Sequence, residues 1–207
     1  MNTIKTIFLS SLIILLAKTS NAQNGMKEPV AFKLKNGMQI IVSENDRSPK
    51  AYSNFTLDAT AFEGKKDGIE ELLNAVLNEG VVKNANISFN DKSGKLTTSN
   101  AELTQDLSTM ANLIQHAVID QKTLSSAKTK LISNLKSKSY DFDSKLNEAS
   151  INAITLADVQ GFYNQISPAN TYLTVAGNIE LDTAKNAVKK AFGNWVTSKQ
   201  DHTLSAK

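Results

Sequence analysis

The chain has no cysteine and only two histidines, three prolines and one tryptophan in 207 residues. Without cysteine there is no disulfide framework, no thiolate metal site and no acylated lipoprotein signal. With His116 and His202 as the only imidazoles, a Ser-His-Asp arrangement has almost nothing to build on, and no G-x-S-x-G elbow accompanies the plentiful Ser and Thr. Gly-rich phosphate loops are missing as well. His116 stands beside an apolar helical stripe and reads as a surface or boundary histidine, while His202 falls in a polar tail and reads as solvated.

The chain has one long apolar run, Ile7 to Ala17, which is short for a membrane span. Lys5 precedes it and the small residues Ser20-Asn21-Ala22 follow, before Gln23. This order predicts a secretory signal peptide over residues 1–22; an N-terminal membrane anchor is the alternative. The signal implies an exported protein, in the periplasm or cell envelope of a bacterium, with no integral membrane span after cleavage. Cleavage removes Lys5 and Lys18 and no acid, so 23 basic and 20 acidic residues become 21 and 20. A nearly neutral chain offers no basic stripe for nucleic acid or anionic lipid. Stability then has to come from an ordinary apolar core, and the length suits one domain.

Beyond the signal, residues 23–29 read as a short lead. Val30 to Lys35 and Met38 to Ser43 flank Asn36-Gly37, a hairpin signal in which both turn residues take positive φ. Ala51 to Ala59 reads as a third strand. Ile69, Leu72, Leu73, Val76 and Leu77 recur at helical spacing between Gly68 and Gly80. Ile87 to Phe89 and Lys95 to Thr98 are weaker strands around the turn residues 90–94. Leu103, Leu107, Met110, Ile114 and Val118 form one helical stripe; Leu124, Ala127, Leu131, Ile132 and Leu135 form another. Residues 137–150 read as a loop with at most one helical turn. Thr155-x-x-Asp158 is a capping box opening a helix that Pro168 stops. Thr171 to Ala176 is a strand, and Asp182 caps a last helix carrying Ala184, Val188, Ala191, Phe192 and Trp195. The pattern predicts one α/β (α+β) domain over residues 30–196, a two-layer sandwich of a mostly antiparallel or mixed sheet with helices on one face, followed by a polar tail at 197–207.

Several of these segments resemble motifs of the pitrilysin/insulinase family of zinc metallopeptidases, the inverzincins. Leu34-Lys35-Asn36-Gly37-Met38-Gln39-Ile40 looks like the L-x-N-G-[LM]-x-[VI] hairpin that opens such domains. Ile154-Thr155-Leu156-Ala157-Asp158-Val159 through Phe162-Tyr163 resembles I-T-x-x-D-[LV]-x-x-F-[YH], and Ser167-Pro168-Ala169-Asn170 resembles its S-P-x-N cap. Val175-Ala176-Gly177-Asn178-Ile179 resembles a strand ending in G-[DN]-[IV], and Phe192-Gly193-Asn194-Trp195 resembles F-G-x-W. The helix between Gly68 and Gly80 matches the frame of the family's H-x-x-E-H helix.

The resemblance also shows what is absent. On that frame the first His falls on Glu71, the Glu on Asn74 and the second His on Ala75, so neither two imidazoles for zinc nor a carboxylate to activate water is present. The family's third ligand is a Glu on a later helix; the matching turn here is Leu131-Ile132-Ser133-Asn134-Leu135-Lys136, without a carboxylate, after which the sequence is shortened. Family peptidases usually carry a second similar domain, and this sequence holds one. Glu71, Asn74 and Ala75 therefore read as degenerate zinc-site positions, with no catalytic, metal-binding or cofactor-binding residue assigned and no cofactor implied. A hard-cation site from Glu63, Glu70 and Glu71 is an alternative, against the ordinary role of acids at a helix N-terminus. The leading reading is a non-catalytic binding or partner subunit in the cell envelope, its partner an active peptidase relative or a peptide. The alternatives are a zinc-dependent metalloendopeptidase component working with an active partner, and a degenerate paralogue without activity.

Overall fold

The structure is a computed structural model that describes residues 27–62, 64–81, 86–137 and 145–196. The expected signal at 1–22, the polar tail at 197–207, Glu63 and His202 lie outside the described residues. Six strands form one mixed sheet in the order β1-β2-β6-β3-β5-β4: β1 (Val30–Lys33), β2 (Gln39–Glu44), β3 (Ala51–Leu57), β4 (Ile87–Asn90), β5 (Ser93–Thr98) and β6 (Thr171–Gly177). β2 and β6 run parallel; the other neighbours are antiparallel. The helices are α1 (Ile69–Glu79), α2 (Leu103–Gln115), α3 (Gln121–Ser137), α4 (Glu148–Ala153), α5 (Leu156–Tyr163) and α6 (Leu181–Phe192). The α/β two-layer architecture expected from the sequence is the one observed.

Strand alternation divides the two faces of the sheet. Ile40, Val42, Ala51, Phe55, Leu96, Leu173 and Val175 point into the helical layer and are buried there with Leu72, Leu107, Val188 and Phe192. The other face is polar. One cross-strand row on it reads Ile41, Thr174, Asn54, Lys95, Ser88.

The hairpin between β1 and β2 forms, but with a different turn. Leu34 O accepts Gly37 N–H at 3.0 Å and Leu34 N–H reaches Met38 O at 2.9 Å, leaving a three-residue loop. Only Gly37, at φ 96, has positive φ; Asn36 does not. Asn36 is held instead by its side chain. Nδ2 donates to Phe192 O at 2.7 Å and Trp195 O at 3.1 Å, and Oδ1 accepts Met38 N–H at 3.3 Å. A Cβ at Gly37 would sit 3.2 Å from Ala169 Cβ. The hairpin, the Ser167–Asn170 cap and the Phe192–Trp195 ending therefore meet in space.

Other boundaries shift as well. β3 stops at Leu57 because the Asp58 carboxylate turns the chain, accepting from Thr60 N–H at 3.0 Å and Thr60 Oγ1 at 2.7 Å. A 3-10 turn, Ala59–Phe62, follows and buries Phe62 against Phe162. Val118 lies beyond the end of α2 and is 66% exposed, so it does not extend that stripe. α4 starts at the end of the stretch expected to be a loop with one helical turn and runs past it to Ala153, opened by a capping box of Asn147 and Ser150 and anchored by buried Ile151. Asp182 is not the cap of α6: the Leu181 N–H is taken by Glu44 Oε1 of β2 at 2.8 Å. Thr155 and Asp158 do form the capping box of α5. Lys66 binds Asp158 Oδ2 at 2.6 Å and, with the Thr155 N–H, holds that carboxyl far below the ordinary carboxylate range.

Candidate functional site

α1 forms because its apolar residues all face inward: Ile69, Leu72, Leu73, Val76 and Leu77 are buried. Gly68 at its start has φ 85, and a Cβ there would lie 2.8 Å from Ile151 Cδ1, so α4 packs where a side chain would be. This fixes how α1 is turned. Asn74 points at the β4–β5 turn. Glu71, Ala75, Asn78 and Glu79 line a cavity of about 190 Å³ whose far wall is α3, through Leu131, Asn134 and Leu135. The fold thus brings Glu71 and Ala75 opposite the very turn of α3 that the sequence comparison singled out.

Four of the polar side chains that α1 presents here are already engaged. Asn74 is 8% exposed and its Nδ2 donates to Asp91 O at 2.8 Å. Asn78 Oδ1 accepts the Phe89 N–H at 3.1 Å. In the register of the β4–β5 pair, that N–H points away from β5, at the edge of the sheet. One α1 amide, Asn78, therefore occupies the β4 edge where a peptide strand would add, and a second, Asn74, holds the turn that follows it. Glu71 faces Lys92 at 3.7 Å. Glu79 takes Lys130 on Oε1 at 2.8 Å and Ser126 Oγ on Oε2 at 2.9 Å, and these contacts, Lys130 first, hold its carboxyl below the ordinary range.

This donor set does not fit zinc. Ala75 has no ligand atom, Leu131 and Leu135 are apolar, and Asn134 offers a neutral amide where the coordination chemistry calls for an imidazole or carboxylate. The cation facing Glu79 is an ammonium. Glu70, the other acid considered for a hard cation, is buried and bonded to Lys65 Nζ at 2.6 Å. Among the described residues no three His, Cys, Asp or Glu side chains converge as a metal cluster. His116 is the exposed C-cap of α2.

Sequence reasoning missed Asn78, Glu79 and Lys130. Glu79 was within reach, one turn beyond Ala75 on the same stripe. Lys130 was not, because nothing local says which face of α3 meets α1.

The last quarter of the chain, residues 153–206, matches the family model described as the peptidase M16 inactive domain. No curated protein matches. A protease from Helicobacter pylori has the same fold, with a TM-score of 0.69 at 16% identity over 84% of this chain and 52% of that one. The periplasmic protease PqqL from Escherichia coli gives 0.67 at 10% identity over 82% of this chain and 24% of its own. An M16-like peptidase from Alicyclobacillus acidocaldarius gives 0.65 at 12% identity over 83% and 51%. The chain spans about half of two of these relatives and about a quarter of the third, and at such identities the likeness concerns the fold. The protein has the fold of an M16, or pitrilysin/insulinase, peptidase domain. Its sequence resembles the inactive kind over residues 153–206, and its fold resembles these peptidase domains over most of its length. Among the described residues no helix is long and apolar enough to cross a membrane.

Proposed function

We propose that this protein is a non-catalytic M16-type partner subunit of the bacterial cell envelope. On this reading residues 1–22 are removed on export, residues 30–196 are the working domain, and Glu71, Asn74 and Ala75 are former zinc-helix positions turned to structural use. The carrying observation is Asn74: where a peptidase would hold its general base, a buried amide is bonded to Asp91 O. The periplasmic relative PqqL supports the location. The occupied β4 edge argues against peptide addition there and in favour of a protein partner, for which an active H-x-x-E-H relative is the natural choice. The test is metal analysis and peptide cleavage on the purified protein, with affinity isolation from its native envelope. The reading expects no stoichiometric zinc after dialysis, no cleavage, and an H-x-x-E-H chain recovered in equal amount. One tightly held zinc per chain, or cleavage by the isolated protein, would overturn it.

A further inference from the structure

The first hairpin and the end of the chain's last helix together hold the atoms of a reaction to which an Asn-Gly pair is prone. Asparagine is a thermolabile residue, and a following glycine has no Cβ to shield its N–H. Among the described residues Asn36 is the only asparagine followed by glycine. In the reaction Gly37 N bonds to Asn36 Cγ and gives its proton to water. The Cγ–Nδ2 bond breaks and Nδ2 leaves as ammonia. One water then opens the succinimide ring, on one side to aspartate and on the other to isoaspartate, in which the main chain runs through the former side chain. In this fold each participant is held. The leaving nitrogen donates to Phe192 O at 2.7 Å and Trp195 O at 3.1 Å. The attacking nitrogen keeps its proton on Leu34 O at 3.0 Å. Asn36 Oδ1 accepts Met38 N–H at 3.3 Å, a donor placed where negative charge develops during attack, and this contact alone favours the reaction. The hairpin therefore primes the amide, and the Phe192–Trp195 ending restrains it.

We propose that Asn36 is a self-modification site gated by the Phe192 and Trp195 carbonyls: while they hold Nδ2 the amide persists, and when that ending lifts away the hairpin converts it, with water, to a carboxylate. The inference is independent of the partner reading above. The conversion runs one way. A carboxylate accepts and does not donate, so at position 36 it meets two carbonyl oxygens with no proton between them, in a part-buried place, and the clamp does not reclose. The isoaspartate form also adds a carbon to the main chain inside a three-residue loop, beside Gly37, where a Cβ would already sit 3.2 Å from Ala169 Cβ. An opening of the last helix is thereby recorded covalently, as happens when an opened state is chemically altered before it can refold. Trp195 is the chain's single tryptophan and is 8% exposed, so its emission reports whether the clamp is shut.

The test ages the purified full chain in mildly alkaline buffer and measures aspartate and isoaspartate at position 36 by peptide mapping with mass spectrometry. The references are the same chain in urea and a free peptide of residues 33–40. The folded chain should convert about tenfold more slowly than either, or slower still, because two donor bonds must break first. Trp195→Ala removes the ring that seats the ending on Phe55 and should raise the rate severalfold in a chain that is still folded. Phe192→Leu, a milder change at the same ending, takes its place if that variant does not fold. Leu124→Ala on α3, compared at an equal distance from its urea midpoint, should leave the rate unchanged. The converted chain, isolated and returned to native buffer, should keep a red-shifted Trp195 emission. Equal rates in the folded chain and the free peptide would overturn the protection. Equal acceleration by Leu124→Ala and the variants at the ending would assign the opening to global unfolding and overturn the gate. Native emission from the converted chain would overturn the one-way step.

Discussion

Asn36 Nδ2 and Phe192 O are 2.7 Å apart and 156 residues apart in sequence. The same amide reaches Trp195 O, and the rings of Phe192 and Trp195 pack on Phe55 with centroids 6.4 and 6.3 Å away. One side chain of the first hairpin thereby terminates the last helix and sets the aromatic cluster beneath it.

Asn36→Ala removes two donors from part-buried carbonyls and one acceptor from the Met38 N–H. It should cost about 2 kcal/mol and lower the melting temperature by roughly 4–8 °C. Asn36→Asp, which keeps the acceptor but loses both donors, should do at least as badly. Thermal or urea melts decide it; an unchanged midpoint for both variants would show that the clamp contributes nothing.

Gly177 and Gly64 both have positive φ, at 118 and 74, yet their surroundings differ. A Cβ at Gly177 would lie 2.2 Å from Lys50 O, whereas nothing lies within 4 Å of one at Gly64. Gly177→Ala should cost about 4 kcal/mol or more, and Gly64→Ala only about 1 kcal/mol, the strain of the backbone alone. Soluble yield and denaturant midpoints compare the two directly.

Glu71→His, Asn74→Glu and Ala75→His together restore the H-x-x-E-H pattern. They should not give a peptidase, because α3 presents Leu131, Asn134 and Leu135 to that place and no carboxylate. The triple variant should also be less stable, by about 1–3 kcal/mol, since Asp91 O loses its donor. Adding Asn134→Glu supplies a third ligand, and zinc affinity by competition titration should rise at least tenfold over the triple variant. Equal affinities would mean that Asn134 does not face the restored pair.

The Glu79–Lys130 pair gives a pH test. Its carboxyl is lowered on folding from an ordinary 4.5. The pair's stabilisation is therefore complete above that value and is lost as pH falls through the lower folded value. A double-mutant cycle of Glu79→Gln and Lys130→Met should give a coupling of about 1 kcal/mol at pH 7 that fades in acid. Coupling that does not change with pH would assign the effect to packing.

The sheet strands and α1 were legible because their signals are local: alternation, a glycine at each end of α1, and one apolar stripe. The Thr155–Asp158 box was legible for the same reason. α4 was legible only as one unplaced helical turn although Asn147 and Ser150 carry its cap, because a six-residue helix shows only one buried apolar residue, Ile151. The Asp182 cap was wrong for a deeper reason. The group that satisfies the α6 N-terminus is Glu44, 137 positions away, and no window along the sequence contains both. The cleft behaved likewise. Glu71, Asn74 and Ala75 were identifiable by frame, but the bonds that occupy Asn74, Asn78 and Glu79 come from Asp91, Phe89 and Lys130 on other elements.

β6 sits between β2 and β3, and among the described residues no other strand bridges the β1–β2 hairpin to the β3-β5-β4 ribbon. A chain still short of residue 171 has two separate ribbons and no common sheet. Assembly must wait until more than four-fifths of the 207 residues are available, and the pairings that complete it are the long-range kind that form slowly. Truncation anywhere before β6 should leave fragments that bind each other poorly, and returning the missing end as a separate peptide offers a way to start folding on demand.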